Sequence, residues 1–283
     1  MVARLASILL LGCAALTGAA AVEAPLPGGR PALRFFGSEQ GLPQNTVQAL
    51  VQDADGFLWA GTQNGVAFYD GRAWKTVERP GGESFGAVRD LLAASDGSLW
   101  MALSDGIARR KEGVWTVFSG GTDLPPGPVR SLAEERRGDQ VLIWAGTSEG
   151  LAQWDGRAWR REVAPPVEGP VGKVLVVPGD HGTEMWVSTA GGLARRVGGR
   201  WSVLRPGGGL PQEPVRDLVV AREAGRTLVW AATFGGLARL DGDRWILEEG
   251  LPSREVFSLA WFDAGAGAEL WAGTSRGLVR RTA

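Results

Sequence analysis

Apolar residues in this chain fall in short runs of four to six, each closed by Gly, Asp or Pro. Runs of that length between turn signals predict strands and not helices. The runs recur in sets of four. The first is β-branched and aliphatic, as in Val47-Gln48-Ala49-Leu50, Val88-Arg89-Asp90-Leu91 and Val256-Phe257-Ser258-Leu259. The second carries a Trp: Trp59, Trp100, Trp144, Trp186, Trp230 and Trp271. The third opens six residues later at a Gly-hydrophobic pair: Gly65, Gly106, Gly150, Gly192, Gly236 and Gly277. The fourth carries another Trp fifteen residues after the first: Trp74, Trp115, Trp159, Trp201 and Trp245. Self-similarity at a fixed period of this length is the mark of a repeat architecture.

The turns agree. Asp70-Gly71, Asp155-Gly156 and Asp241-Gly242 join the third and fourth runs. Asp-Gly suits a tight hairpin because both central residues adopt positive φ readily. Asp55-Gly56 and Asp96-Gly97 join the first and second runs, and later copies lengthen that hairpin. Four antiparallel strands per copy make one propeller blade. The expectation is an all-β, six-bladed β-propeller of four-stranded blades over residues 31–283. The last copy has three runs, and Leu33-Arg34-Phe35-Phe36 stands before the first copy as a fourth run without a blade. Pairing the two closes the ring and removes an open sheet edge.

Ahead of the repeats, residues 1–21 read as a signal peptide: Arg4, then an apolar stretch from Leu5 to Leu16, then Ala19-Ala20-Ala21. Residues 22–30 are a Pro/Gly-rich linker. Cys13 is the sole cysteine, and Leu10-Leu11-Gly12-Cys13 resembles a lipobox. The alternative to plain cleavage is therefore a lipid anchor at Cys13. Both routes predict a periplasmic, secreted or membrane-anchored protein. No other apolar run is long enough to span a bilayer as a helix. A net charge of −1 with no basic cluster argues against nucleic acid as a partner. The Arg109-Arg110 and Arg195-Arg196 pairs recur with the repeat and read as a solvated strand edge.

The units GLPQNTVQALVQDADGFLWAGTQNGVAFYDGRAW and GLPSREVFSLAWFDAGAGAELWAGTSRGLVR resemble the two-component regulator propeller repeat. That family is typical of periplasmic sensor regions of hybrid histidine kinases and some diguanylate cyclases. The resemblance implies ligand sensing, with ligands that in the family are often carbohydrate-derived. No kinase segment accompanies the propeller in this sequence, so a separate envelope partner such as a sensor kinase is expected.

Candidate chemistry is sparse. Eleven of the 13 Trp sit at repeat positions and read as framework between blades. Trp154 ends a third strand and reads as a half-exposed edge residue. His181 and Glu184, three residues apart in a hairpin, make at most two metal ligands, so no metal or other cofactor is expected. No nucleophile with a base is evident, and residues 206–212 (PGGGLPQ) have no following helix to hold a phosphate. The expected function is a non-catalytic binding module. The alternatives are a structural or assembly scaffold of the envelope and, less favoured, a propeller lyase or hydrolase.

Two residue sets mark a candidate ligand site. The strand two-three loops vary while their flanks do not, and they offer Asn64, Asp105, Glu149, Phe234 and Arg276. The second residue of the first strand is Arg89, Arg130 and Arg216 in three copies. First strands line a propeller's channel, so these form a basic ring for an anion or else pair with Asp90 and Asp217.

Overall fold

A computed structural model describes residues 35–282 except 120, 122–123, 163–168, 180–181, 205–213, 224–225, 243 and 264–267. The signal and linker assignments and the loop at 206–212 lie outside the described residues, as does His181. Among the described residues the apolar runs form six antiparallel sheets, five of four strands and a sixth of three. The one helical feature described is a single 3-10 turn, Ser38–Gln40. The fold is an all-β, six-bladed propeller. The first strands are Val47–Gln52, Val88–Ala93, Val129–Arg137, Val174–Gly179, Val215–Glu223 and Val256–Asp263. In the fourth copy the strand begins at Val174 and not at Val171. There the chain enters through Gly172, whose amide donates to the Ser188 carbonyl.

The first five leading Trp residues are each buried against the next blade. Trp59 packs with Phe85, Leu91 and Met101 of blade two, and Trp100 packs with Leu132, Ile143 and Trp159 of blade three. The hydrophobic member of the Gly-hydrophobic pair does the same: Val66, Ile107, Leu151, Leu193 and Leu237 are 0–3% exposed. The glycine before it enables the turn. Gly106 has φ 153, and a Cβ there would stand 2.0 Å from the Phe118 carbonyl oxygen, so no side chain fits. The nearly constant Thr of the strand two-three turn is explained locally. Thr62 accepts from the Asn64 amide and donates to the Gly65 carbonyl, and Thr147, Thr233 and Thr274 repeat this.

Backbone-to-side-chain bonds pin consecutive blades. The third residue of the first strand accepts the first-strand N–H of the next blade. Leu132 donates to Asp90 at 2.8 Å, Val174 to Ser131 at 2.7 Å and Leu259 to Asp217 at 2.9 Å. Carboxylates bonded to N–H groups in a buried setting hold more strongly than neutral acceptors.

Two sequence expectations need correction. Trp154 is 7% exposed, not half-exposed. It fills the seam between blades two and three, its ring 5.7 Å from Trp100 and 5.1 Å from Phe118. The Arg-Arg pairs are not a solvated edge. Arg109 stacks over Trp100 of its own blade and Arg110 over Trp59 of the preceding one; Arg195 and Arg196 repeat this over Trp186 and Trp144. Successive strand residues point to opposite faces, so each guanidinium covers a different seam.

The closing strand proposed from Leu33 to Phe36 falls in part outside the described residues. Phe36 itself lies edge-on to Tyr69 and Trp74 of blade one, at 5.5 and 6.1 Å. Phe118, in the fourth strand of blade two, meets the equivalent Trp154 and Trp159 of blade three, tilted to the first and edge-on to the second.

Candidate functional site

Five of the six first strands carry a β-bulge at their second residue. Pairing passes from Val47 to Ala49, Val88 to Asp90, Val129 to Ser131, Val215 to Asp217 and Val256 to Ser258. The skipped residues are Gln48, Arg89, Arg130, Arg216 and Phe257. A bulge leaves one residue unpaired and re-aims its side chain. Arg89, Arg130 and Arg216 are exposed, while the third residue stays buried as a pin.

The axis beneath them is occupied by charge. Lys173 of blade four reaches Asp217 of blade five at 3.2 Å and acts electrostatically on Asp90 of blade two. Blades two, four and five converge at the centre of the ring through these groups. Burial pushes the Asp90 carboxyl above its ordinary value, against the pull of Lys173 and of the Leu132 and Leu91 amides. Asp90 and Asp217 therefore serve the framework and Lys173, and not the neighbouring arginines. Among the described residues, Arg89, Arg130 and Arg216 have no carboxylate within ion-pair distance.

The strand two-three turns and the strand four-one loops meet, as expected from the topology. Ser84 donates to the Asn64 carbonyl, and the Ser253 and Ser275 hydroxyls lie 2.8 Å apart. Asn64, Asp105, Glu149, Phe234 and Arg276 are all exposed. They are not equivalent. Asp105 is held bidentately by Arg79 at 2.9 Å, and Arg79 also donates to the Phe85 carbonyl, so this carboxylate belongs to the loop scaffold. Phe234 is brought to Arg216, whose guanidinium lies 4.9 Å from its ring centre. Phe234 also meets Phe257 edge-on at 5.6 Å, and the two rings are 40% and 45% exposed. Phe257 and Lys173 were missed as site residues. The signal for Phe257 was its place at the bulge position occupied elsewhere by Arg. Glu184, read as a hairpin residue, lies in the strand Gly182–Thr189 and pairs with Arg195 at 2.8 Å. Among the described residues no group of His, Cys, Asp and Glu has the makings of a metal site.

Residues 41–64 match the family described as Two component regulator propeller. This stretch lies within the first of the two units that resemble that repeat. No curated protein matches the chain in sequence. Among solved structures, it is similar to the extracellular domains of two hybrid two component systems of B. thetaiotaomicron. The first has a TM-score of 0.67 at 19% identity, over 84% of this chain and 33% of that one. The second has a TM-score of 0.65 at 22% identity, over 87% of this chain and 32% of that one. It is also similar to PorZ, a surface component of the type-IX secretion system of Porphyromonas gingivalis, with a TM-score of 0.58 at 17% identity over 81% of this chain and 37% of that one. These likenesses show the propeller fold. The chain spans about a third of the length of those proteins. Among the described residues no helix is long and apolar enough to cross a membrane.

Proposed function

We propose that this propeller is a non-catalytic, extracytoplasmic sensing module that captures a small ligand on the loop face and presents it to a separate envelope partner. The observation that carries this is the bulge row. It sets three arginines without ion partners, and Phe257 beside Phe234, at the rim of an axis already filled by Lys173 and its carboxylates. A scaffold gains nothing from unpaired cations and half-exposed rings at one rim, whereas a ligand with an anionic group and an apolar face satisfies both. Asn64, Glu149 and Arg276 then surround that ligand from the turns, with Asp105 held back by Arg79. The similarity to extracellular domains of two component systems supports both the sensing role and a periplasmic or secreted location, with a lipid anchor at Cys13 as the alternative. The similarity to PorZ keeps an envelope assembly role as the second reading.

The test is a thermal-shift screen against glycans, peptides and organic anions, since specific binding raises the melting temperature by mass action. Arg216→Ala, Phe234→Ala and Arg276→Ala should each weaken a hit without lowering the melting temperature of the free protein. A hit unaffected by all three would overturn the assignment of this face. Recovery of the protein in a stable envelope complex that survives those substitutions would favour the assembly role.

A further inference from the structure

The residue opposite each leading Trp, on the adjacent third strand, is Arg in four blades, Gln in blade three and Phe in blade one. Trp100 faces Arg109, Trp144 Gln153, Trp186 Arg195, Trp230 Arg239 and Trp271 Arg280. In three blades an acid holds this arginine over the Trp. Asp96 holds Arg109 at 3.3 Å, Glu184 holds Arg195 at 2.8 Å and Glu269 holds Arg280 at 3.6 Å. Glu184 and Glu269 stand two residues before their Trp, and the same place in blade one is Phe57. Opposite Trp59 stands Phe68. Blade one has thus exchanged a charged cap for two phenyl rings, 5.5 Å apart, with Phe68 5.2 Å from Trp59.

The exchange gives the pocket beside these rings an aromatic wall. The seam between blades one and two holds a pocket of about 350 Å³ lined by Phe57, Trp59, Phe68, Val77, Arg110 and Trp115. Phe57 remains 38% exposed at it. Arg110, contributed by blade two, is half-buried with its guanidinium 5.6 Å from the centre of Trp59. Among the described residues no carboxylate lies within ion-pair distance of it. The corresponding place in the next seam is also open, about 290 Å³, but there Asp96 pairs with both Arg109 and Lys111 beside Trp100 and Trp154, so that pocket is lined by charges that already have partners.

We infer that this pocket binds a small apolar monoanion: a body of one or two rings, or a short alkyl chain, bearing one carboxylate. The aromatic walls take the body, removing from water the surface that Phe57 and Phe68 leave exposed. The Arg110 fork takes the carboxylate, which matches its planar geometry and supplies the anion that its ring contact with Trp59 does not. A volume of about 350 Å³ is near the lower end of ligand pockets, which limits the body to that size. The pocket sits by the Asp55-Gly56 hairpin and the Gly113 turn, at the end of the disc opposite the strand two-three turns. It is therefore independent of the loop-face site.

The repeat supplies its own control. Phe57→Glu with Phe68→Arg installs the cap that blades four and six already carry and should replace the aromatic wall by a paired charge without unfolding the chain. Calorimetric titration of the full chain uses naphthoate, with neutral naphthamide as its uncharged counterpart. We expect naphthoate to bind the parent and naphthamide to bind about tenfold more weakly, the loss of one charge-assisted contact. The double variant should lose naphthoate binding at an unchanged melting temperature. Arg110→Gln should reduce naphthoate to the level of the amide. Absence of naphthoate binding to the parent, or equal binding by the double variant or by Arg110→Gln, would overturn the proposal. If the double variant does not fold, the comparison of Arg110→Gln with the parent decides alone.

Discussion

The seam after blade four and the outer face of blade six are built from the same repeat positions but differ in what covers them. Leu193 of blade four is 0% exposed, packed with Leu218 and Val229 of blade five; Leu278, its counterpart in blade six, is 49% exposed. Trp186 is buried where Trp271 is half-buried. The leading face of blade one mirrors this. Val47, Leu50 and Leu58 are half-buried, whereas Val88, Leu91 and Leu99 of blade two are buried. Five apolar clusters each join two consecutive blades. The sixth joins blade one to Phe36 and Leu42 only. A blade therefore carries a full framework on both faces, and the neighbour decides how much stability each residue contributes. Burial drives the stabilisation, and residue type alone does not.

The largest contrast is expected at the tryptophans. Trp144→Ala and Trp186→Ala should each cost roughly 3–5 kcal/mol, since each leaves a large cavity in a packed seam. Trp271→Ala should cost about half of that or less, because part of its ring already faces water. Urea unfolding of the three variants measures this. Equal losses would mean that blade six is as fully covered in solution as the inner blades.

A smaller contrast is expected one strand over. Leu193→Ala should cost about 2–5 kcal/mol and Leu278→Ala about 0.5 kcal/mol, the values of core and surface positions. The pair is cleaner than the tryptophans, because neither side chain has a polar group to leave unpaired.

The phenylalanines sharpen the comparison from the other side of the ring. Phe36 and Phe118 make corresponding ring contacts to the last residue of a third strand and the Trp of a fourth. Phe36→Ala should therefore destabilise nearly as much as Phe118→Ala, about 2 kcal/mol each for a partly buried ring. The thermal midpoints compare them. A negligible loss at Phe36 would show that the chain before blade one contributes little to that face.

Much of this was legible beforehand because it rests on spacing. The Trp and Gly positions, the four-strand blade and the three strands of the last copy follow from periodicity, while the expected fourth strand of that blade lies in part outside the described residues. The site was less legible, and the reasons are physical. A β-bulge has no composition signal of its own, so Val88-Arg89-Asp90 reads as plain alternation until the ladder shows Arg89 skipped. Alternation would place Asp90 beside its neighbouring arginines as an ion-pair partner, whereas it accepts an N–H from blade three. Trp154 looked exposed because strand ends usually are, but here the third strand ends under Phe118. The Arg-Arg pairs looked solvated because charge suggests water, and stacking on indole rings requires knowing which Trp lies across the seam. Asp105 looked free because Arg79 lies 26 residues earlier, in the loop after another blade's fourth strand.

The smallest effect concerns the pins, and it depends on pH. Asp90 joins blade two to blade three through the Leu132 amide, and burial raises its pKa above the ordinary carboxyl value. A carboxyl with a raised folded-state value binds its proton more tightly folded than unfolded. Its contribution is therefore complete below the unfolded value of about 3.9 and is lost as pH rises through the raised folded value. Asp90→Asn keeps an oxygen acceptor for the Leu132 amide and removes the ionisation. Relative to the parent, this variant should gain stability as pH rises from about 4 towards neutrality, with the difference flattening once Asp90 is ionised in both states. Urea midpoints of parent and variant at a series of pH values give the difference directly. Ser131, the neutral pin of the next seam, is the internal control: Ser131→Ala should lower stability by about 1 kcal/mol, the value of one neutral hydrogen bond, equally at every pH. A pH-independent gap for Asp90→Asn would mean that Lys173 cancels the burial of Asp90. The pins of the charged and neutral seams would then be equivalent.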